Sequence, residues 1–287
     1  MSKKLDLLPV KSDFVFKLIF GDQRNTDILA EFLKSVLDIP NEEYDRLTIV
    51  DPYVKKESED DKHGILDVKV HTKNKSVVHV EIQVKPVPDM KERTLYSQSK
   101  MITEQISSGK DWAVINRVVS IIITDYTFVP ESGNYHNQFR YRTKDGMEFT
   151  GLSEINTLEL TKLPLDTDKS DLWYWLKFIK LDDGEVLDMI AERSPQMRKA
   201  IGVLKELSAD ERTRMIYDDR EKARRDIVSM MKGARQEGRQ EGRQEGRQEG
   251  IEAITIALKL LKSNRPIEEI MEETGLTSEQ IEMLRTN

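Results

Sequence analysis

Two neighbouring segments alternate apolar and polar residues so strictly that they read as paired strands. Residues 65–72 read ILDVKVHT and residues 77–84 read VVHVEIQV. Side chains alternate between the two faces of a strand, so each segment has one apolar and one polar face. Lys73, Asn74 and Lys75 form a tight turn between them. A three-residue turn fixes the register and sets Asp67 directly opposite Glu81, whereas a two-residue turn would break that opposition. Leu66, Val68 and Val70 then share one face with Val78, Val80, Ile82 and Val84. Asp67, Lys69 and His71 share the other with His79, Glu81 and Gln83.

Two carboxylates facing each other on one side of a hairpin repel. A divalent cation between them turns that repulsion into a binding site. Mg²⁺ is commonly held by one or two carboxylates and keeps its other positions for water and phosphate. Asp67 and Glu81 are therefore candidate metal ligands, and Gln83 points into the same site, where it can orient a water. The plainer alternative is a hairpin whose solvated face carries charges by chance. His71 and His79 flank the site, as a base or as solvent-facing strand residues. The chain has no cysteine and only four histidines. Cysteine-ligated metals are thus excluded and oxygen ligands favoured, which points to Mg²⁺ or Mn²⁺.

The surrounding sequence alternates helical and extended patterns. A short helix after Ser12, a turn over 21–25 and a second helix ending before Pro40 come first. Residues 47–54 read as a strand, 91–107 as a helix ending at Gly109, and 117–125 (RVVSIIITD) as a buried strand. Residues 126–150 are polar and loop-like, and 155–161 read as a further strand. A helix capped by Asp168 or Ser170 follows, with Trp173 and Trp175 read as core and rim of a helical region rather than as a base-stacking platform. More helix runs from 184 to about 233, with breaks near Pro195 and Ser208.

The string GILDVKV…VVHVEIQV, preceded by SDFVFKLIFGD and NTDILAEFLKSVL and followed by RTLYSQSKMITEQISSGKDW, RVVSIIITDY and LELTKL, resembles the Rpn family of recombination-promoting nucleases and transposase-like proteins. That family lies in the PD-(D/E)XK nuclease superfamily, whose motif is an Asp on one strand and Glu-x-Lys on the next. The resemblance covers about residues 9–165. It implies a mixed α/β, restriction-endonuclease-like core, with a central mixed sheet flanked by helices and followed by an all-helical C-terminal region. It implies metal-dependent hydrolysis of DNA phosphodiesters in recombination or transposition-like processes, with Asp67 and Glu81 on the metal. Gln83 stands where the superfamily has lysine, so an amide replaces a positive charge. Lys69 and Lys85 are poorly placed to substitute, and Lys100 on the following helix is the residue that can reach back. Asp13 and Lys17 lie in the opening motif, and Asp13 either adds a carboxylate to the metal or caps the first helix. Arg93 either contacts phosphate or pairs with Asp89 or Glu92. The rival function is a catalytically weak or inactive nuclease-fold module that acts through self-association or protein interaction.

The expected organisation is a nuclease-like domain over 1–165, a helical region over 166–233, an RQEG repeat over 234–250 and a helical association tail over 251–287. The repeat stacks Arg235 above Arg239 and Glu237 above Glu241, and each glycine costs roughly 1 kcal/mol in a helix. Either a solvated linker or a helix stabilised by packing on a partner fits it. The tail has the outline of a helix-turn-helix, with Gly275 and Ser278 as caps, but Glu279, Gln280 and Glu282 do not suit a recognition helix. Association into a homo-oligomer through these helices is the expected role. The net charge of −7 argues against tight static DNA binding, and less against a nuclease whose metal brings its own positive charge. No stretch has the length of a membrane-spanning helix and no signal peptide opens the chain, so a cytoplasmic protein without membrane contact is expected.

Overall fold

The structure is a computed structural model, and it describes residues 6–37, 39–50, 68–109, 111–181 and 186–286. Asp67 lies outside the described residues. The chain divides into a unit over Met1–Tyr217 and a second over Asp218–Asn287.

In the first unit, α1 (Asp13–Phe20) and α2 (Thr26–Val36) precede β1 (Thr48–Val50), β2 (Val68–His71) and β3 (Val77–Gln83). Next come α3 (Met90–Thr103), β4 (Val118–Thr124), β5 (His136–Arg140) and β6 (Ser153–Glu159). Helices α4 (Asp171–Lys180), α5 (Leu187–Arg193) and α6 (Pro195–Ala209) follow. Among the described residues the strands form one mixed sheet in the order β1-β2-β3-β4-β6-β5. The β2–β3 pair is antiparallel, with Val68 opposite Val80 and His71 opposite Val77. That is the register of a turn over residues 73–75. Thr72 N–H donates to the Ser76 carbonyl, and Lys75 takes the left-handed conformation (φ 65°) that closes such a turn.

Strand β3 runs parallel to β4, and β4 parallel to β6. A parallel pair needs a crossover, and α3 supplies the one between β3 and β4. Central parallel strands are covered on both faces, and every residue of β4 is buried. One face carries Val78, Val80, Ile82, Val119, Ile121 and Ile123. It packs against an aromatic core that includes Phe16, Phe20, Phe32 and Trp175, with Phe16 and Phe20 stacked at 4.6 Å. Gly21 ends α1 where there is no room for a side chain: a Cβ would lie 2.7 Å from the Lys17 carbonyl oxygen and 3.5 Å from Val68.

Three features differ from the sequence reading. The stretch 126–150 contains β5, a polar edge strand (HNQFR) whose pairing with β6 is backbone-driven and leaves no apolar signature. Helices α4 to α6 share the sheet's hydrophobic core, and Trp173 and Trp175 are both buried in it. The RQEG repeat is helical, inside α7 (Glu211–Lys262), although no side chain at its glycines would meet a neighbour.

In the second unit, α8 (Ile267–Thr274) and α9 (Ser278–Thr286) close a small core of Ala257, Ile270 and Ile281. Gly275 caps α8 in the left-handed conformation (φ 69°). The cap of α9 is Thr277 rather than Ser278. The Thr277 hydroxyl accepts from Gln280 N–H, and Gln280 Oε1 accepts from Thr277 N–H, a reciprocal capping box. No described helix is long and apolar enough to cross a membrane.

Candidate active site

The second face of the sheet carries the chemistry. Alternation along β3 puts His79, Glu81 and Gln83 on it, and α3 covers it. Met90, Thr94, Gln98 and Met101 of α3 are buried against the sheet. The Gln98 amide ties the helix down by donating to the Glu154 carbonyl at 2.8 Å. The polar side of the hairpin is therefore not solvated: His79 is 1% exposed and Glu81 6%.

Glu81 sits near the C-terminal end of β3. Burial pushes its carboxyl pKa above the usual value, opposed by a hydrogen bond from Gln83 and by the charge of Arg93. Gln83 Nε2 donates to Glu81 Oε1 at 3.0 Å, and an Arg93 guanidinium nitrogen lies 3.7 Å from the same oxygen. Arg93 thus pairs with Glu81 rather than with either acid beside it in sequence. His79 Nε2 is 4.0 Å from Glu81 Oε2, but burial depresses the imidazole pKa to about 3, aided by the charge of Lys69. His79 is neutral at ordinary pH, and this contact is no ion pair. Its ring nitrogens have no hydrogen-bond partner among the described residues, so the reading of His79 as a solvent-facing residue is corrected. His71 is half-buried, and burial followed by Lys69 lowers its pKa.

The other sequence candidates fall around this centre. Lys69 is opposite His79 and reaches Glu104 at 3.3 Å. Arg93, Lys100 and Glu104 are spaced by seven and four residues, which aligns them along one side of α3, from its first turn to its C-cap. Lys100 is half-buried between two residues that both touch the second-face groups of the hairpin. Asp13 is exposed, and its carboxylate accepts from the Phe14 N–H at 2.8 Å, a contact within its own helix. Lys17 lies one turn further along α1.

Two neighbours were not singled out from sequence. Asp125 follows β4, donates its N–H to the Gln83 carbonyl at 3.1 Å and pairs with Lys11 at 2.7 Å. This pair seats the segment before α1 against the ends of β3 and β4. The Tyr126 pKa is raised by burial and then by the charge of Glu81. The signal was present in the Asp-Tyr pair that ends the apolar run of β4.

The donors available to a cation are oxygens, with one buried carboxylate at the centre. Ionised Glu81 has only an amide and a partly exposed guanidinium to offset the cost of burial, and a divalent cation fits that deficit. Among the described residues no three acidic or histidine side chains converge, so Glu81 is the one proposed ligand whose surroundings can be described.

The arrangement of a six-stranded mixed sheet, flanking helices and a helical C-terminal region is a restriction-endonuclease-like α/β fold. No curated protein and no solved structure matches the chain. The family model for PD-(D/E)XK nuclease family transposases matches residues 10–234, which include β3 and all of α3. The chain belongs to the PD-(D/E)XK nuclease family transposases.

Proposed function

We propose that this protein is a divalent-metal-dependent DNA endonuclease acting in recombination or transposition-like processes. The observation that carries the reading is Glu81: a carboxylate 6% exposed, beside an amide and a guanidinium, at the end of a central strand. Glu81 and Asp67, the latter outside the described residues, would hold Mg²⁺ or Mn²⁺. Such an ion supplies a water of lowered pKa and charge stabilisation at phosphate.

The chain's own groups do the rest. Gln83 spends its N–H on Glu81, which leaves its carbonyl oxygen to accept from a water and orient it. Arg93 is half exposed and offers its remaining donors to a phosphate oxygen. Lys100 lies on the same side of α3 and supplies the positive charge that Gln83 lacks. His79, held neutral, does not compete for the cation's charge. The C-terminal helices are assigned to homo-oligomer formation, outside the chemistry.

Plasmid nicking by the full chain in Mg²⁺, Mn²⁺ and EDTA, beside Asp67→Ala and Glu81→Gln, tests the reading. Metal-dependent nicking that both substitutions abolish is the expected result. Nicking unaffected by Glu81→Gln would overturn the site, and no nicking with no metal binding would leave an inactive nuclease-fold module.

A further inference from the structure

A second feature of the α3-covered face has no part in the site above. Between α3 and the far strands lies a cavity of about 380 Å³, within the size range of small-ligand sites. Its walls include Leu95 of α3, Phe128 of the loop after β4, Ile155 and Thr157 of β6, and Phe139 of β5, with Lys91 at its mouth. Leu95 and Phe139 are 48% and 46% exposed, a large aromatic and a large aliphatic side chain left open to solvent on one groove. Thr157 is the opposite: it is 1% exposed, and its hydroxyl has no hydrogen-bond partner among the described residues. A buried hydroxyl without a partner costs free energy, and Thr157 is one of the residues that line the cavity.

The register locates the cavity relative to Glu81. Glu81 stands beside Ile122 on β4, and Ile122 beside Thr157 on β6. Thr157 is therefore on the same face and level as Glu81, two strands away, at about 10 Å for a spacing of ~4.8 Å per strand. One row along, Ser120 stands beside Ile155, and Ile155 beside Phe139. The cavity and the carboxylate thus open on one face of one sheet.

Phe128 is held in place rather than merely present. Glu159, fully buried, accepts from the Phe128 and Val129 N–H groups at 2.8 and 3.3 Å. Lys162 pairs with Glu159 and donates to the Val129 and Ser132 carbonyls at 2.6 and 2.7 Å. The Tyr126 ring meets Phe128 edge-on at 6.3 Å. Lys91 Nζ lies 5.9 Å from the Phe128 ring centroid and brings a positive charge to the mouth.

We infer that this cavity receives one unstacked nucleobase of the DNA strand bound at Glu81. Phe128 and Phe139 offer the apolar aromatic walls on which a base can stack, and Lys91 meets the adjoining phosphate. A base inside an intact duplex cannot enter such a cavity and must be unpaired or flipped first. The enzyme therefore favours single-stranded or distorted sites over regular duplex. The inference rests on the DNA-cleaving reading above.

The test measures binding of short fluorescein-labelled single-stranded oligonucleotides to the full chain by anisotropy, in EDTA and in Ca²⁺. The oligonucleotides form a series in which one abasic residue is moved along the strand. For the wild type, one abasic position is expected to weaken binding by about tenfold, the size of a lost base–aromatic stack. Phe139→Ala, on an exposed edge-strand side chain, is expected to weaken binding of the intact oligonucleotide similarly and to flatten the abasic series. Phe139→Trp is expected to restore both. Binding and plasmid nicking that persist with the same abasic profile in Phe139→Ala would overturn the base cavity and leave the nuclease reading standing. A wild type that neither binds any oligonucleotide nor nicks plasmid would overturn both.

Discussion

On one side of β3, Val78, Val80 and Ile82 are 0–4% exposed and pack against an aromatic core. On the other, His79 and Glu81 are nearly as deeply buried, at 1% and 6%, on the face that α3 covers with buried threonine, glutamine and methionine. Burial of the first side stabilises the fold, because apolar area leaves water at roughly 25 cal/mol per Å². Burial of the second side works against the fold, since it desolvates a carboxylate and an imidazole that lack full hydrogen-bond partners. A strand with two covered faces teaches that depth alone does not identify a core. What distinguishes the sides is whether the covered groups gain or lose by being covered, and a side that loses is where function is to be sought.

The sharpest way to break this comparison is to neutralise the polar side. Glu81→Gln keeps the shape and removes the charge. Nicking is expected to fall by at least about a hundredfold, the scale seen when one charge-stabilising group is lost from a site. The same variant in EDTA near neutral pH is expected to melt no lower than the wild type. The sign follows from the raised carboxyl pKa: ionisation is disfavoured in the folded state, so wild-type stability declines as pH rises from the ordinary carboxylate value through the folded one. Differential scanning calorimetry beside the nicking assay checks both halves, and a marked loss of stability in EDTA would place Glu81 in the structural framework instead.

The apolar side should answer in the reverse sense. Ile121 is fully buried on the face opposite Glu81. Ile121→Ala is expected to cost about 2–5 kcal/mol of stability, read by urea denaturation, with nicking retained at temperatures where the chain stays folded. Nicking lost from the folded variant would mean that the two faces are coupled more tightly than a shared strand requires.

The sequence carried one face of this comparison better than the other. The turn at Lys73–Lys75 and the alternation on either side set the β2–β3 register, because a one-residue slip would turn Val68, Val70, Val78 and Val80 away from the core. The polar alternation looked like a solvated face, because nothing in VVHVEIQV shows that α3 will lie over it. That information is spread over Met90, Thr94, Gln98 and Met101, spaced three to four residues apart but mostly polar or flexible. The Arg93–Glu81 pairing had no local signature either, since the partners are far apart in sequence and the acids adjacent to Arg93 offered simpler explanations. Strand β5 was hidden for a related reason: an edge strand needs only backbone pairing, and HNQFR has a single large apolar residue. The glycines of the RQEG repeat argued against a helix by propensity, yet α7 runs through them. Propensity is a weak prior that a long helix can override.

His79 provides an intermediate test, with an effect that appears only in acid. Its folded pKa is about 3, below the ordinary histidine value of about 6.5. Protonation thus favours the unfolded state, and the contribution to stability is intact above about pH 6.5 and is lost as pH falls towards 3. The loss should reach a few kcal/mol at the acid end. His79→Leu removes two buried nitrogens that lack partners and is expected to flatten the stability profile between those limits while leaving stability near pH 7.5 equal or higher. Chemical denaturation across that range reads the slope. An unchanged acid limb would assign acid unfolding to other groups and remove His79 from the set of groups that lose by burial.

The smallest expected effect separates the two roles given to Gln83. Its N–H donates to Glu81 at 3.0 Å, and that bond holds the carboxyl pKa below where burial alone would put it. Gln83→Leu is close in volume and removes both the donor and the carbonyl. Without the donor, the Glu81 pKa rises further, and the acid limb of the nicking rate should move to higher pH. Without the carbonyl, water is less well oriented, and the rate on the high-pH plateau should fall as well, by about tenfold. Gln83→Glu discriminates further. It keeps an oxygen acceptor but sets a second carboxylate against Glu81, so its acid limb should move at least as far while more of the plateau rate is kept. If the limb moves in Gln83→Leu and the plateau does not, Gln83 serves only to tune Glu81, and the water must be oriented by another group on the covered face.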